Sequence, residues 1–321
     1  MKAIRVHTPG GLEALQLADV AVPELKSGEA LVRVEAAGVN FIDVYQRTGF
    51  YKVATPFTLG QEGAGVVERV GAGVTAVKTG DRVAWATVMG AYWEYCAVPA
   101  DRLVPLPDRV TTRQAAAAML QGMTAQYLAV TTCPLRPGDW CLVHAAAGGV
   151  GGLLVQIAKL EGARVIATVG SEAKRAIARE AGADEVLLYR TQDVAREVKR
   201  ITGGAGCRVV YDGIGKDTYQ ASLDSVAPRG LLALFGQASG AVPPLDPLVL
   251  MAGSKFLARP KLADYIATRE ELLSRAGDVL GWIGDGKLKV RIHREYPLAL
   301  AADAHRDLEG RGTTGKLLLI P

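Results

Sequence analysis

Hydrophobic and polar positions change their period along this chain, and the change divides it. Before about residue 122 the apolar residues recur at every second position in short runs set between glycines. Ala30-Leu-Val-Arg-Val-Glu35 and Gly63-Ala-Gly-Val-Val-Glu-Arg-Val70 are examples, and a period of two predicts strands with one buried face. From about 122 to 258, short apolar runs alternate with longer amphipathic ones. The pattern predicts strands near 141–145, 164–169, 185–188, 207–211, 230–235 and 255–258. Helices are predicted near 150–161, 172–181, 193–201 and 217–224. Such alternation closes into a doubly wound parallel sheet with right-handed crossovers, which binds ligands at the carboxyl ends of its strands. A last helix near 270–284 and short strands follow. The expected fold is α/β, with a β-rich domain over 1–121 and 260–321 and a Rossmann-type domain over 122–259.

The sharpest local feature is His144-Ala-Ala-Ala-Gly-Gly-Val-Gly-Gly152, set between the strand-like Cys141-Leu-Val143 and a helix-like run. A glycine turn there brings backbone close to a pyrophosphate and aims helix N-terminal N–H groups at it. It reads as a dinucleotide fingerprint with Ala146 in place of the first glycine, followed by Gly148 and Gly151. Gly149 and Val150 are expected against the pyrophosphate. The second strand ends at Gly170 without the Asp or Glu that would take the ribose 2′-hydroxyl of NAD. It offers Ser171, Lys174 and Arg175 instead, with Tyr189 and Arg190 after the next strand. Hydroxyls and cations suit a 2′-phosphate, at about 1.5–3 kcal/mol per charge-assisted bond, and Glu172 is the opposing sign. The expected cofactor is NADPH. Two later glycine loops, Tyr211-Asp-Gly-Ile-Gly215 and Phe235-Gly-Gln-Ala-Ser-Gly240, add Ile214, Phe235, Gly236, Gln237 and Ser239 as candidates along the cofactor's path.

Composition narrows the class. The chain has 321 residues, 49% hydrophobic and 22% charged, enough for two ordinary globular cores. A net charge of +4 with no basic stripe argues against nucleic acid, and no apolar run reaches spanning length. The chain enters strand-like sequence at Met1-Lys-Ala-Ile-Arg-Val6, which reads as no signal peptide. Cys96, Cys133, Cys141 and Cys207 show no ligand spacing and fit a reduced, cytoplasmic setting. Asn40 is the sole asparagine, a depletion that points to a thermophile or a biased genome.

Gly60-Gln-Glu-Gly-Ala-Gly-Val-Val-Glu-Arg-Val-Gly71, followed by Gly80-Asp-Arg-Val83, resembles the signature of the medium-chain dehydrogenase/reductase superfamily. Gly38-Val-Asn-Phe-Ile-Asp43, the Ala-Ala-Ala-Gly-Gly-Val-Gly turn, Tyr211-Asp212 and Leu257-Ala-Arg-Pro260 resemble its zeta-crystallin-like quinone oxidoreductase branch. The resemblance runs through essentially the whole chain. It implies a GroES-like β-rich catalytic domain with an NADP-binding Rossmann domain, and a homodimer paired through the last Rossmann strand. Zinc alcohol dehydrogenases of the superfamily carry Cys at the position of Asn40 and His at that of Gln61. Neither amide replaces a thiolate or an imidazole as a zinc ligand, so no metal is expected. Glu62 remains, but one carboxylate does not make a site. His7, His144, His293 and His305 are scattered and read as structural.

The resemblance also implies site residues. Asn40 would stand beside nicotinamide and acceptor, against the alternative of a strand-end cap that its being the sole asparagine disfavours; Asp43 would stand at the nicotinamide end, or cap the following helical turn. Tyr45 and Tyr51 would present rings to a flat acceptor, or pack in a core. Gln61, where relatives often carry Thr, would shape the acceptor pocket. Thr124 and Tyr127 are expected to open a hinge helix and contact the nicotinamide half, while Leu262 and Arg311 fall in segments that cover the cofactor. No nucleophile–base pair is visible, so Asn40 and a tyrosine hydroxyl are the candidate donors to an anion formed on the acceptor. The implied activity is hydride, or one-electron, transfer from NADPH to a quinone. Reduction of an alkenal, enone or enoyl thioester is the alternative, and a single-stranded RNA-binding or crystallin-type structural role the distant one.

Overall fold

Two units make up the chain, all 321 residues of which are described in this computed structural model: Met1–Met123 with Tyr265–Pro321, and Thr124–Asp264. The first unit begins with β1 (Lys2–Val6), β2 (Gln16–Asp19), β3 (Glu29–Val39), α1 (Phe41–Arg47) and β4 (Phe57–Thr58). It continues with β5 (Glu62–Val70), β6 (Arg82–Ala86), β7 (Tyr95–Pro99), β8 (Val104–Pro105) and α2 (Thr112–Tyr127), whose last turn crosses into the second unit.

The second unit follows as β9 (Trp140–Val143), α3 (Gly149–Leu160), β10 (Arg164–Val169), α4 (Glu172–Glu180), β11 (Glu185–Leu188) and α5 (Val194–Ile201). Then come β12 (Cys207–Asp212), α6 (Tyr219–Ser225), β13 (Val226–Leu234), β14 (Phe256–Ala258) and the short α7 (Leu262–Tyr265). Its sheet runs β11-β10-β9-β12-β13-β14 with every neighbouring pair parallel, the doubly wound order that strand–helix alternation predicts. Leu142, Ile166, Val210 and Leu232 form the core of one face. β13 starts earlier than its apolar pattern suggested. A register shift opposite Cys207 and Val209, with Arg229 at φ +60°, absorbs the Pro228-Arg229-Gly230 break without ending the strand. β14 is the edge, and Phe256 on it is 60% exposed.

The chain closes in the first unit with α8 (Arg269–Gly284), β15 (Ile292–Pro297), α9 (Ala301–Glu309) and β16 (Lys316–Ile320). There the main sheet runs β15-β16-β3-β5-β6-β8, with β7 also on β3 and a small β2-β1-β4 sheet beside it. Val32, Val34, Trp85, Leu103 and Leu317 fill its core. Two helices here escape periodicity. α1 turns Asp43, Gln46 and Arg47 inward, and Ala115–Met119 of α2 is buried throughout, so neither shows an apolar stripe against a polar one. All four cysteines are free thiols, and no helix is long and apolar enough to cross a membrane.

Candidate functional site

In the second unit the glycine turn joins β9 to α3, with Gly148 as N-cap and Gly149 and Val150 in the first turn. Ala145 carries the strain of the turn at φ +51°. A Cβ on Gly151 would lie 2.3 Å from the Ala145 carbonyl oxygen, so only glycine lets α3 start this close to the strand end. The first N–H groups of α3 remain available there, a cradle that fits a pyrophosphate.

The two later loops are bonded into one ledge. The Asp212 carboxylate accepts from the N–H groups of Ile214 (2.8 Å) and Gly215 (3.0 Å) and from the hydroxyls of Thr218 and Ser222. Ala238 N–H donates to Gly213 O and Ser239 N–H to Ile214 O, while Phe235 N–H reaches Asp212 O. Arg259 donates to the carbonyls of Leu234 and Gly236, which fixes the stretch leading to Gln237. Under this ledge lies His144. Ser222 gives its proton to Asp212, so His144 donates from Nε2 to Ser222 Oγ and accepts Thr168's hydroxyl at Nδ1. Burial lowers its pKa, against the pull of Asp212. The imidazole is a neutral tie between β10 and α6, in line with a structural role.

At the end of β10, Ser171 is the N-cap of α4, and Tyr189 lies against Gly170 so closely that a Cβ there would meet its hydroxyl at 2.9 Å. Partial burial, and then the neighbouring Arg190 cation, lower the pKa of Lys174. The two cations are near enough to repel each other. Arg175 is engaged elsewhere, with Glu172 (2.9 Å) and the Val186 carbonyl (3.0 Å). Leu262 is buried at the start of α7. Thr124 and Tyr127 close α2 rather than opening a helix, and both are buried.

The first unit holds a polar centre of another kind. Glu62 and Lys316 are buried completely and paired directly. Glu62 also accepts from Leu120 N–H (2.6 Å) and from Asn40 Nδ2 (2.9 Å). Asn40 Oδ1 accepts from Lys316 Nζ (2.7 Å) and Gln121 Nε2 (3.2 Å), and the second Nδ2 hydrogen goes to Gly38 O (3.2 Å). Both donor hydrogens of Asn40 are therefore used inside the protein, and the free donor expected of it is not available in this arrangement. Burial lowers the pKa of Lys316, and Glu62 counters that by favouring the charged form. Nothing in the local sequence points to Lys316 or Gln121. Gly38 was the available signal, because a Cβ there would meet Glu62 Oε2 at 2.4 Å and Lys316 Cε at 2.7 Å.

Asp43, expected at the nicotinamide end, is fully buried in the first turn of α1, where its carboxylate accepts from the backbone N–H of the N-cap residue Asn40. Its Oδ2 accepts from Asn40 N–H (2.8 Å) and Tyr92 OH (3.0 Å), while Oδ1 is buried without a partner. Burial pushes its pKa up to about 7 against these bonds. The chain continues inward. Tyr92 gives its proton to Asp43, so His305 donates from Nε2 to the phenol oxygen (3.2 Å) and accepts from Arg47 at Nδ1 (3.3 Å). Arg47 in turn grips Glu309 with two bonds. Burial, and then Arg47, hold the pKa of His305 down to about 3.

Tyr45 and Tyr51 do come together, edge to face at 5.3 Å, and Phe41 and Phe50 extend the group to four rings. Phe50 is 54% exposed, so the cluster presents an aromatic face rather than a sealed core. Gln61 is buried just before β5, where its carbonyl accepts from the N–H of Thr87, a residue at φ +65°. Arg311 follows α9, exposed and at φ +55°.

Zinc does not fit this centre. Its one carboxylate is already neutralised by an ammonium, its other donors are amides, and no cluster of His, Cys, Asp or Glu could hold an ion. Residues 149–259 match the family described as zinc-binding dehydrogenase, and residues 26–108 that of the alcohol dehydrogenase GroES-like domain. The chain is 46% identical to the quinone oxidoreductase of Pseudomonas aeruginosa, over 100% of this chain and 99% of that one. It is 40% identical to the 2-haloacrylate reductase of a Burkholderia species, over 98% of each. The crystal structure of Escherichia coli quinone oxidoreductase complexed with NADPH superposes with a TM-score of 0.98 at 42% identity, covering 100% of both chains. On these likenesses the chain belongs to the quinone oxidoreductase family of the medium-chain dehydrogenases/reductases.

Proposed function

We propose that this protein is an NADPH-dependent quinone oxidoreductase that works without a metal. The observation that carries the reading is the Glu62–Lys316 pair: the carboxylate that could have held a Lewis acid is neutralised by the protein itself. With nothing to bind an alkoxide, the acceptors that suit the site are those whose reduced form is a stabilised oxygen anion, such as quinones. Bound NADPH supplies the hydride. Val150 and the N–H groups of Gly149 and Gly151 hold its pyrophosphate; Ser171, Lys174, Tyr189 and Arg190 take its 2′-phosphate. Gly170, Ile214 and the ledge from Phe235 to Ser239 line its adenosine and ribose path, with Leu262 and Arg311 covering it. Tyr45, Tyr51 and Phe50 offer a flat apolar face to the acceptor, and Gln61 an amide to its oxygen. Thr124 supports the nicotinamide half. Positioning and exclusion of water do most of the catalysis, and the final proton comes from solvent.

The 2-haloacrylate reductase relative supports a second reading, reduction of an activated double bond. NADPH oxidation after EDTA treatment separates the two, with 9,10-phenanthrenequinone and 1,4-benzoquinone tested beside trans-2-hexenal. Quinone turnover that survives EDTA is the expected result; turnover with the alkenal alone would move the function to double-bond reduction. We also propose a cytoplasmic homodimer paired through the open edge of β14, where Phe256, Leu248 and Met251 are exposed. Sedimentation should give a dimer, and Phe256→Asp a monomer; a wild-type monomer at micromolar concentration would refute the pairing.

A further inference from the structure

A buried ion pair is a poor source of stability, because desolvating two charges offsets their attraction. The Lys316–Glu62 pair is nevertheless built into the middle of this polar centre, with β3 reduced to glycine at position 38 to make room. What it does there follows from its contacts. Lys316 and Gln121 both donate to Asn40 Oδ1, and Glu62 and Gly38 O both accept from Nδ2. A flipped Asn40 amide would set its N–H groups against an ammonium and another amide N–H, so Lys316 fixes one orientation. It also cancels the Glu62 charge. Reduction of a neutral acceptor by hydride creates an anion. A bare carboxylate nearby would oppose that anion; for an illustrative separation of roughly 6–7 Å and an effective dielectric of about 20, Coulomb's law slows the step on the order of 50- to 100-fold.

We propose that Lys316 is a positioning residue for hydride transfer: its ammonium is a resident counter-cation that acts through Glu62, keeping that carboxylate from opposing the anion formed on the acceptor. This rests on the reading of the protein as a hydride-transferring reductase. Other titratable groups coupled to the pair are Asp43 on α1 and, beyond it, Tyr92. Losing the Lys316 cation also raises the pKa of Asp43, so the double variant below, in which the Glu62 charge is gone as well, is the reference that isolates Glu62.

Lys316→Met leaves Glu62 buried without a cation, and such a carboxylate binds a proton when the pH allows. Where Glu62 is protonated the site is neutral again, and where it ionises the repulsion returns. The expected profile of kcat with 9,10-phenanthrenequinone lies within about threefold of wild type near pH 6 and falls at least about 30-fold below it near pH 9, with KM for NADPH unchanged. Lys316→Met with Glu62→Gln removes the carboxylate. It should abolish the added pH dependence and recover kcat near pH 9 to within about fivefold of wild type. An infrared band of a buried protonated carboxyl should appear in the single variant at low pH and vanish in the double. Uniform loss at every pH with no recovery in the double variant would reduce Lys316 to scaffold, and no loss at all would overturn its role. Should the single variant not fold, Lys316→Arg keeps the charge and should keep the wild-type profile, while a double variant active only at low pH would overturn the proposal. The same profiles with trans-2-hexenal separate the two claims. Wild-type protein inert with quinone but active with the alkenal overturns the quinone reading, and the Lys316 profile is then judged on the alkenal. Wild-type protein inert with both overturns both.

Discussion

The second unit makes its candidate nucleotide edge out of backbone, whereas the first makes its polar centre out of side chains. At the edge, the working groups are N–H donors of α3, a turn strained at Ala145, and two loops tied by Asp212 and by main-chain bonds. Each turn is complete within a few residues. In the centre, Asn40 meets Glu62 across 22 positions, Gln121 across 81 and Lys316 across 276. A backbone site is specified locally and tolerates change in the side chains around it. A side-chain site is specified by the whole fold of its unit, and fails when one partner is lost because the remaining charge is buried.

Two glycines test that contrast most severely. Alanine normally favours a helix over glycine by about 1 kcal/mol, yet at position 151 its Cβ would sit 2.3 Å from a main-chain oxygen that cannot move aside. Gly151→Ala should therefore weaken NADPH binding by at least about 100-fold, about 2.7 kcal/mol, as read by fluorescence titration. Gly38→Ala should act on stability instead. Its Cβ would meet Glu62 Oε2 and the Ala116 carbonyl oxygen at 2.4 Å and force the ion pair apart, at a cost of about 3–5 kcal/mol in urea denaturation. If Gly151→Ala bound NADPH normally, or Gly38→Ala were as stable as wild type, the contrast between the two regions would not hold.

The same contrast explains what could be read from the sequence. The doubly wound sheet was legible because parallel strands buried on both faces leave continuous apolar runs, and the glycine turn because close approach leaves glycine itself. The second turn's lack of a carboxylate was equally visible, since one position decides it. The centre was not legible. Lys316 sits in Gly-Lys-Leu-Leu-Leu-Ile320, which reads as an ordinary strand entry, and nothing local says that its ammonium turns inward toward Glu62. Asn40 was picked out, but by resemblance, and its hydrogen bonds differ from the role carried over. Asp43 was offered two roles, and the structure shows the capping one. Tyr92, His305 and Arg47 form a chain with it that polar residues on short helices do not announce.

A smaller effect sharpens the edge side of the comparison. Lys174 and Arg190 are the cations proposed for the 2′-phosphate, and Lys174 is only partly buried, so solvent screening limits what each contributes. Lys174→Glu should weaken NADPH binding at least about tenfold while changing NADH binding less than about twofold. Equal losses for both cofactors would mean that Lys174 does not read the phosphate and that the two cations are electrostatic surface.

The subtlest effect belongs to the centre, in how its stability depends on pH. Asp43 rises from 3.8 to about 7 on folding, chiefly through burial, so its share of stability is full below about 4 and is lost as pH rises toward 7. His305 falls from 6.5 to about 3, also through burial, so its share is full above 6.5 and is lost as pH falls. Between about 4 and 6.5 the folded pair holds one proton on Asp43, the unfolded pair one on the histidine, and the two slopes cancel. Substitution uncovers each in turn. In Asp43→Asn, stability relative to wild type should rise with pH across this window, and in His305→Asn it should fall, each by about 1.4 kcal/mol per pH unit. Either substituted amide can keep its neighbours' hydrogen bonds, since the one introduced by His305→Asn would donate to Tyr92 and accept from Arg47 as the imidazole does. Urea denaturation of wild type and both variants at about pH 4.5 and 6 reads the difference, expected near 2 kcal/mol in opposite directions. Parallel slopes in all three proteins would show that Asp43 and His305 do not exchange their proton on folding, and that the chain through Tyr92 joins two groups whose charges folding leaves alone.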